Sequence, residues 1–414
     1  MVNLLIQVLT LISGLVVNFV IPGLYGLDAY GEFIKANVLV FLFQKLLDII
    51  NEQLLGSVEA QYIFAMSLCM AVLVFCGFSA FNAVSEIGNP WMLSVMLLSS
   101  ACLLSLFGLR LYSWIVGYLV LFLGIFSISL IISYQNFFPL SIVEVLILTN
   151  LVPCAFAFVV LIFNGARLPL GRQWLSTFRQ VAMLLPRMIS ITLVFNLFTN
   201  ILPYILSRSL SSRDLGLFRV VVSIIQAATS LFPVNVRAVF VSFVHSEQRQ
   251  VQFKTIMSVA ICYFALLGLC GYAVGWLFPK FTPYLAMLPC LPVLYWAVVS
   301  ERYLVASGFY RKVMVINLVI GVIAVLFMVV YAQEVKHAEL LYALGFSTYL
   351  LLLHLVCRPG VNLMVVCWVA LLSPLAIFMK NINLMGGAAY MCSLFIISVG
   401  ILRLRPRDIL NLRF

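Results

Sequence analysis

Long apolar runs follow one another along the whole chain, and short segments with glycine, proline, asparagine or a charge separate them. A helix of about 20 apolar residues crosses the hydrocarbon core of a bilayer, which is about 30 Å thick, and satisfies all of its backbone hydrogen bonds internally. We therefore predict fourteen membrane-spanning helices, with twelve or thirteen as alternatives, at 2–24, 33–56, 62–83, 91–109, 112–133, 142–164, 181–207, 216–240, 255–278, 284–306, 312–332, 338–357, 360–380 and 386–403.

The composition agrees with a lipid environment. Of the 414 residues, 64% are apolar and only 9% are charged. Soluble domains are roughly 45–50% apolar and about 25% charged, so lipid must cover most of this surface. The predicted fold class is an all-α polytopic membrane protein with almost no chain outside the membrane. This excludes most enzymes and all DNA-binding folds.

The basic residues predict the orientation. The net charge is +11, and most of the Lys and Arg residues fall in cytoplasmic loops if the N-terminus lies inside. Because Lys and Arg are retained on the cytoplasmic side, we expect both termini in the cytoplasm. The first ten residues lack the features of a cleaved signal, so the first run is expected to remain as a helix. The basic excess then marks topology and contact with anionic membrane lipids, and nucleic acid is not needed to explain it.

No sequence motif indicates catalysis. The chain has no Walker loop, no dinucleotide-binding turn, no HExxH and no cysteine pair with zinc spacing. Its ten cysteines lie mostly within or beside apolar runs, where they are typical of helix packing. We predict that the protein is not an enzyme and holds no metal or cofactor. Any energy it uses must come from an ion gradient or from its substrate's own gradient.

Two similar segments indicate an internal duplication. Residues 27–33, which contain Gly31, and residues 211–218, which contain Gly216, are both predicted turns that precede a polar helix. An internal repeat of six helices would produce this pattern. The predicted domains are an N-terminal lobe at 1–180, a C-terminal lobe at 181–357, and two extra helices with a basic tail at 358–414. The two lobes are expected to be pseudo-symmetric and to surround a central cavity.

Polar residues form stripes at helical spacing on predicted helices one, two, seven and eight, the corresponding members of the two halves. Polar groups facing lipid are costly, so a stripe predicts a wall of an interior cavity. The candidate cavity residues are Gln7, Asn18, Arg187, Asn196, Asn200, Arg219, Gln226 and Arg237, and the candidate ion-coupling residues are Lys45, Asp48 and Glu52.

Structural alternatives remain open for these residues. Lys45 and Asp48 could simply neutralise one another, and Arg219 and Arg237 could extend to the two membrane interfaces. Gln226 and the two asparagines of helix seven could hydrogen-bond between helices without a function. Outside the stripes, Glu301 and Arg302 are interpreted as a self-satisfied pair near the inner surface.

The residues 22–33, Pro-Gly-Leu-Tyr-Gly-Leu-Asp-Ala-Tyr-Gly-Glu-Phe, and the Leu-Gly-Leu-Phe of 215–218 support a family resemblance. With the polar second helix, they resemble the polysaccharide-exporter branch of the multidrug/oligosaccharidyl-lipid/polysaccharide (MOP) flippase superfamily, in particular the Wzx flippases of O-antigen and capsule repeat units. The resemblance implies two six-helix lobes that alternate between inward-open and outward-open forms. It also implies a bacterial inner-membrane location and an undecaprenyl-diphosphate-linked oligosaccharide as substrate.

On this hypothesis the three arginines of the stripes contact the diphosphate or acidic sugars, and the Asn and Gln side chains contact sugar hydroxyls. The carboxylates of helix two would couple transport to protons or Na⁺. A polysaccharide polymerase and a chain-length regulator are candidate partners.

Two other functions fit the sequence less well. A multidrug or metabolite exporter driven by H⁺ or Na⁺ would need to attract organic cations, and the stripes carry more arginines than carboxylates. A membrane-embedded O-antigen polymerase would resemble proteins with a large outward loop, and the predicted outward loops here are short.

Overall fold

The computed structural model describes residues 2–57, 60–85, 88–135, 139–166, 202–230, 248–331, 335–380 and 384–400, with the single positions 179, 183, 232 and 243. These residues are helical except for turns and short connections, and no strand occurs among them. The helices are α1 (Val2–Tyr25), α2 (Leu27–Ser57), α3 (Ala60–Ser85), α4 (Pro90–Gly108), α5 (Tyr112–Tyr134), α6 (Ile142–Phe163), α7 (Leu202–Ser209), α8 (Ser212–Ser230), α9 (Arg249–Leu277), α10 (Cys290–Ala306), α11 (Tyr310–Tyr331), α12 (Val335–Cys357), α13 (Leu363–Lys380) and α14 (Leu384–Gly400), with a 3-10 helix at Pro279–Leu285.

Most of the predicted helices are confirmed, with ends that differ by a few residues. Nine of the described helical segments are long and apolar enough to cross a membrane. Large apolar side chains are exposed along them, among them Phe163, Trp276 and Val322, as expected for surfaces in contact with lipid. The protein is therefore an all-α, multi-pass membrane protein. Most of the predicted seventh helix and the end of the eighth lie outside the described residues, so the number of spans stays a prediction.

Four predicted helix starts are wrong. α2 begins at Leu27 rather than at residue 33, because Gly26 alone, with φ of +88°, breaks the chain after α1. Asp28 then lies in the first turn of α2, where a negative charge stabilises a helix. α8 begins at Ser212 rather than at residue 216, because Ser211 accepts a hydrogen bond from the Asp214 amide nitrogen and caps the helix.

The helix predicted at 284–306 begins six residues later than predicted. The chain forms a 3-10 helix at Pro279–Leu285 and enters α10 only at Cys290. Pro279 and Pro283 have no amide hydrogen to donate, so this segment does not continue as a regular α-helix. Conversely, α9 extends back to Arg249 through a polar segment that was predicted as a loop up to residue 254.

The chain divides into two compact units. The first comprises Met1–Thr192 and Ser211–Gly216, and the second comprises Leu193–Leu210 and Leu217–Phe414. In the first unit, α4 packs against α3 and α6, α5 packs against α1 and α6, and α2 packs against α3 and α4. Its apolar core includes Phe64, Ile115 and Ala157. The domain boundaries predicted at residues 180 and 357 stay predictions.

The second unit is built around α9, α10, α12 and α14. α14 packs closely on α9, and α10 lies against α9, α11, α12 and α13. Gly268 makes the first of these contacts possible, because a Cβ atom there would lie only 2.6 Å from the Met391 Cε atom. The Trp296 indole donates to the Met257 carbonyl oxygen at 2.9 Å and joins α10 to α9. Phe253 and Tyr303 stack between the same two helices, with ring centroids 4.2 Å apart.

Candidate functional site

A polar network joins three helices of the first unit and includes two of the predicted ion-coupling residues. We call it the α2–α4 network; its members are Lys45, Asp48 and Asn51 of α2, Ser67 of α3 and Ser100 of α4. α2 is 31 residues long, and it is absent from the spans defined by low charge and high hydropathy. Its Asp48 and Asn51 side chains bond to residues of α3 and α4, the two helices against which it packs.

The ion pair forms the accessible end of the network. Lys45 Nζ lies 2.9 Å from Asp48 Oδ2, and the two side chains are 48% and 30% exposed. The local pairing that was one of the alternatives for Lys45 and Asp48 is therefore present. The ion pair involves only one oxygen of the carboxylate. The other, Asp48 Oδ1, accepts a hydrogen bond of 2.7 Å from the Ser100 hydroxyl.

The other end of the network is buried. Asn51 is 2% exposed, and its Nδ2 donates to the Ser100 hydroxyl oxygen at 3.1 Å. The fully buried Ser67 donates to Asn51 Oδ1 at 2.6 Å. A continuous hydrogen-bonded path therefore runs from an accessible ammonium group to a hydroxyl in the interior of the unit. Such a path holds the Asp48 carboxylate in a fixed position between the accessible ammonium group and the buried amide.

Two serines of this network were not predicted as site residues. A serine within an apolar helix gives no signal of its own in the sequence, because its hydroxyl can bond to its own backbone. The neighbouring Ser99 points to different helices from Ser100, and it bonds to the Tyr118 hydroxyl of α5 and to Asn150 Oδ1 of α6. α4 thus carries consecutive serines that bind two different sets of helices.

The predicted cavity residues of α1 are only partly described. Asn18 Nδ2 donates to the Gly14 carbonyl oxygen at 2.7 Å, and Asn18 Oδ1 accepts a hydrogen bond of 3.1 Å from the Tyr30 hydroxyl of α2. Asn18 therefore ties α1 to α2. Gln7 lies on α1 and Glu52 on α2, but their side chains are outside the described part of the chain.

In the second unit, Arg219 and Gln226 lie on α8, seven residues apart and so on one side of the helix. Both are half-buried, and the positive charge of Arg219 acts on the buried Tyr342 hydroxyl of α12. The other predicted residues of this set lie outside the described residues: Arg187, Asn196, Asn200 and Arg237. Whether all of these side chains share one cavity stays a prediction.

A second buried polar group was misinterpreted from the sequence. Glu301 of α10 does not depend on its neighbour Arg302 alone, because it accepts a hydrogen bond of 2.6 Å from the Tyr349 hydroxyl of α12. Tyr349 is in turn hydrogen-bonded by the side chain of Asn317 on α11. A partner 48 residues away along the chain could not be deduced from local spacing.

The described residues contain no group of three or more His, Cys, Asp and Glu side chains that could hold a metal ion. All ten cysteines are free thiols. Cys102 of α4 and Cys154 of α6 lie near one another in the core of the first unit, with their sulfur atoms 3.9 Å apart.

Fold and site together define a helical, multi-pass membrane protein with charged and polar side chains inside its first unit. Comparison of the sequence with known protein families finds no match, and no curated protein matches it.

Proposed function

We propose that this protein is a flippase that moves an undecaprenyl-diphosphate-linked oligosaccharide, an O-antigen or capsule repeat unit, from the cytoplasmic to the periplasmic leaflet of a bacterial inner membrane. The observation that carries the proposal is the α2–α4 network, which places an accessible ion pair and a buried amide within an apolar helical bundle. Charged side chains at the bilayer centre cost about 2.5–3.5 kcal/mol on insertion scales, and they are typical of translocation pathways.

The proposed substrate has three parts with different chemical requirements. The diphosphate needs charge-assisted hydrogen bonds, and arginine provides these in a bidentate geometry. Arg219 is the described residue that best fits this role, since it is half-buried on the same side of α8 as Gln226. Amide side chains such as Gln226 and Asn18 would bind sugar hydroxyls, and the polyprenyl chain would stay in the surrounding lipid.

Alternating access explains how such a substrate crosses about 30 Å of hydrocarbon without a continuous pore. Asp48 supports an ion-coupled cycle, because its carboxylate bonds at the same time to two partners that differ in charge, the Lys45 ammonium and the Ser100 hydroxyl. Binding of a cation or a proton at Asp48 would weaken the ion pair and change the packing of α2 on α4.

The proposal is tested in cells that lack the gene. Polyprenyl lipids are extracted, and the oligosaccharide is tested in spheroplasts for accessibility to a membrane-impermeant oxidant. We expect one complete repeat unit to accumulate in a protected, cytoplasmic location, with loss of surface polysaccharide. A plasmid carrying the wild-type gene restores both.

Two other results would replace the proposal. Accumulation of single units on the outer face would mean that translocation is intact, and it would indicate a polymerase. Absence of any accumulation, with greater sensitivity to toxic compounds, would indicate a drug or metabolite exporter.

A further inference from the structure

Glu301 is a carboxyl group buried in the membrane-spanning part of the second unit. It is 3% exposed and lies in α10, within the apolar segment Pro279–Ala306. Trp296 and Leu304 of the same helix are also buried. Acidic side chains are almost never fully buried unless they are paired, so the partners of this one decide its role.

Its hydrogen-bonded partners form a short chain across three helices. The Tyr349 hydroxyl of α12 donates to Glu301 Oε2 at 2.6 Å, and the side chain of Asn317 on α11 binds the same hydroxyl. Tyr349 and Asn317 are both buried. One oxygen of the carboxyl is therefore fixed by a neutral donor, and the donor is fixed by an amide.

The described part of the chain places no bonded cation at this carboxyl. Among the described residues Glu301 forms no ion pair, and the positive charge that acts on it is that of Arg302, the next residue of the same helix. Adjacent residues of an α-helix point about 100° apart, so the two side chains do not face each other. The titratable group that does face Glu301 is Tyr349.

Tyr349 donates a hydrogen bond to the carboxyl, but no described residue of the helices packed against α10 forms an ion pair with it. Glu301 lies near the C-terminal end of α10. The ionisable residues that the neighbouring helices carry towards this end are Arg249 and Lys254 of α9, Arg311 and Lys312 of α11, His354 and Cys357 of α12, and Cys367 of α13. Arg249 donates to the Ala306 carbonyl oxygen at 3.0 Å instead.

A buried carboxylate that is bonded to a neutral donor and not to a cation is unstable in its charged form, and such a group becomes neutral by taking up a proton. Glu301 is in this situation among the described residues. The packing of α10 against α11 and α12 therefore favours the protonated acid, whereas exposure to water favours the carboxylate. A group of this kind responds to any movement that opens its surroundings.

We propose that Glu301 is a proton-binding site through which the protein couples proton movement to transport, with Tyr349 as its positioning residue. When water reaches the carboxylate from one side, a hydronium ion transfers a proton to it, so that one O–H bond breaks and another forms on Glu301. When the site opens on the other side, the acid returns the proton to a water molecule. Nothing is oxidised or reduced. The coupling to transport rests on the proposed function. Proton binding by Glu301 does not, because it can be measured without a substrate.

The direct test is infrared spectroscopy of the full-length protein in lipid nanodiscs, recorded over a range of pH. We expect the wild type to show the C=O stretch of a protonated carboxylic acid at neutral pH, with slow deuterium exchange. Glu301→Gln should lose this band. Glu144→Gln is the matched control and should keep it, because the Glu144 side chain is exposed at the start of α6.

Tyr349→Phe separates positioning from mere packing. It removes the hydrogen bond but keeps the ring, so the Glu301 band should remain and shift in frequency. If Glu301→Gln fails to fold, this shift in a folded variant still tests the assignment. A wild-type protein without the band, or a band unchanged in both Glu301→Gln and Tyr349→Phe, would overturn the proposal.

Transport distinguishes this inference from the proposed function. If the flippase proposal is correct, a pH gradient should accelerate flipping by the wild type in liposomes, and Glu301→Gln should flip at a rate that no longer depends on the gradient. Flipping that keeps its gradient dependence in Glu301→Gln would reject the coupling and leave the flippase proposal intact. A protein that flips nothing but shows the infrared band would reject the flippase proposal and leave the proton-binding site at Glu301 intact.

Discussion

Gly31 of α2 lies directly against the carbonyl group of Ser212, so a Cβ atom at Gly31 would overlap that oxygen. The contact is reciprocal, because a Cβ atom at Gly216 would lie 2.6 Å from the carbonyl oxygen of Leu27. Both contacts lie within the first unit, and the Ser212 hydroxyl also bonds to the Glu32 carboxylate. These glycines are the two that the predicted repeat aligns.

Gly31→Ala should therefore destabilise the protein. The added methyl group meets backbone atoms, which cannot rotate away, and overpacking of this kind costs about 1–3 kcal/mol. We expect a lower apparent melting temperature in detergent and a reduced yield of monodisperse protein. Fluorescence-detected size-exclusion chromatography after heating measures both.

Gly124→Ala is the control for this variant. Gly124 is exposed within α5, and a Cβ atom there would meet nothing within 4 Å. Alanine is favoured over glycine in a helix by about 1 kcal/mol, so this variant should be as stable as the wild type or more stable. Equal melting temperatures for Gly31→Ala and Gly124→Ala would contradict the close approach at Ser212.

The sulfur atoms of Cys102 and Cys154 provide a test of helix packing in the first unit. They are 3.9 Å apart, and a disulfide needs about 2.05 Å, a distance that small side-chain rotations can supply. In a variant that keeps only these two cysteines, a membrane-permeable oxidant such as iodine should link α4 to α6. Intact-mass spectrometry detects the loss of two hydrogen atoms, and proteolysis locates the linked peptides.

The corresponding variant with Cys76 in place of Cys154 is the control, because Cys76 lies on α3 and is exposed. It should remain reduced within the monomer. Failure of Cys102 and Cys154 to link, under conditions that oxidise exposed thiols, would mean that α4 and α6 do not pack as described.

Much of the fold could be predicted, because a membrane-spanning helix is a local property of about 20 residues. α5 and α6 follow directly from their apolar runs. The start of α2 could not be predicted in the same way, since Asp28, Gly31 and Glu32 are polar or small and were interpreted as a turn. The structure shows that the single residue Gly26 makes the turn.

The polar groups could be predicted only in part. Lys45 and Asp48 are three residues apart on one helix, so the sequence alone indicates their pairing. The bonds from Ser100 to Asp48 and from Tyr349 to Glu301 join residues about 50 positions apart. They depend on which helices are neighbours, and hydrophobic periodicity carries no information about that.

The Lys45–Asp48 pair should contribute little to stability. Exposed ion pairs contribute about 0.2–1 kcal/mol, and these side chains are 48% and 30% exposed. Asp48→Asn keeps a group that can bond to Ser100, so its melting temperature should stay close to that of the wild type. If Asp48 couples ions to transport, the variant should nevertheless lose flipping, measured as loss of surface polysaccharide in complemented deletion cells.

Ser67→Ala should have the opposite effects, a loss of stability without a specific loss of transport. It removes the donor to the buried Asn51 amide oxygen, and an unsatisfied buried polar group costs about 1–3 kcal/mol. We expect a lower melting temperature without a specific loss of flipping per folded molecule. If Asp48→Asn is destabilised as strongly as Ser67→Ala, the role of Asp48 is structural and another group must couple the ion.

Arg219 should be required for substrate recognition through both its charge and its shape. A hydrogen bond to a charged group contributes about 1.5–3 kcal/mol, so Arg219→Gln should reduce flipping about tenfold or more. Arg219→Lys keeps the charge but loses the bidentate geometry and should recover only part of the activity. The flipping rates of the wild type, Arg219→Gln and Arg219→Lys are measured in liposomes with a fluorescent polyprenyl-diphosphate sugar.

Arg213→Gln provides the comparison, because Arg213 is exposed in the first turn of the same helix and its loss changes the net charge equally. A general effect of positive charge would lower the flipping rate of both variants to a similar extent. Recognition by Arg219 predicts wild-type flipping by Arg213→Gln alone. It also predicts that Arg219→Gln discriminates less between a diphosphate lipid and its neutral analogue, since the lost contact is to the phosphate groups and not to the sugar.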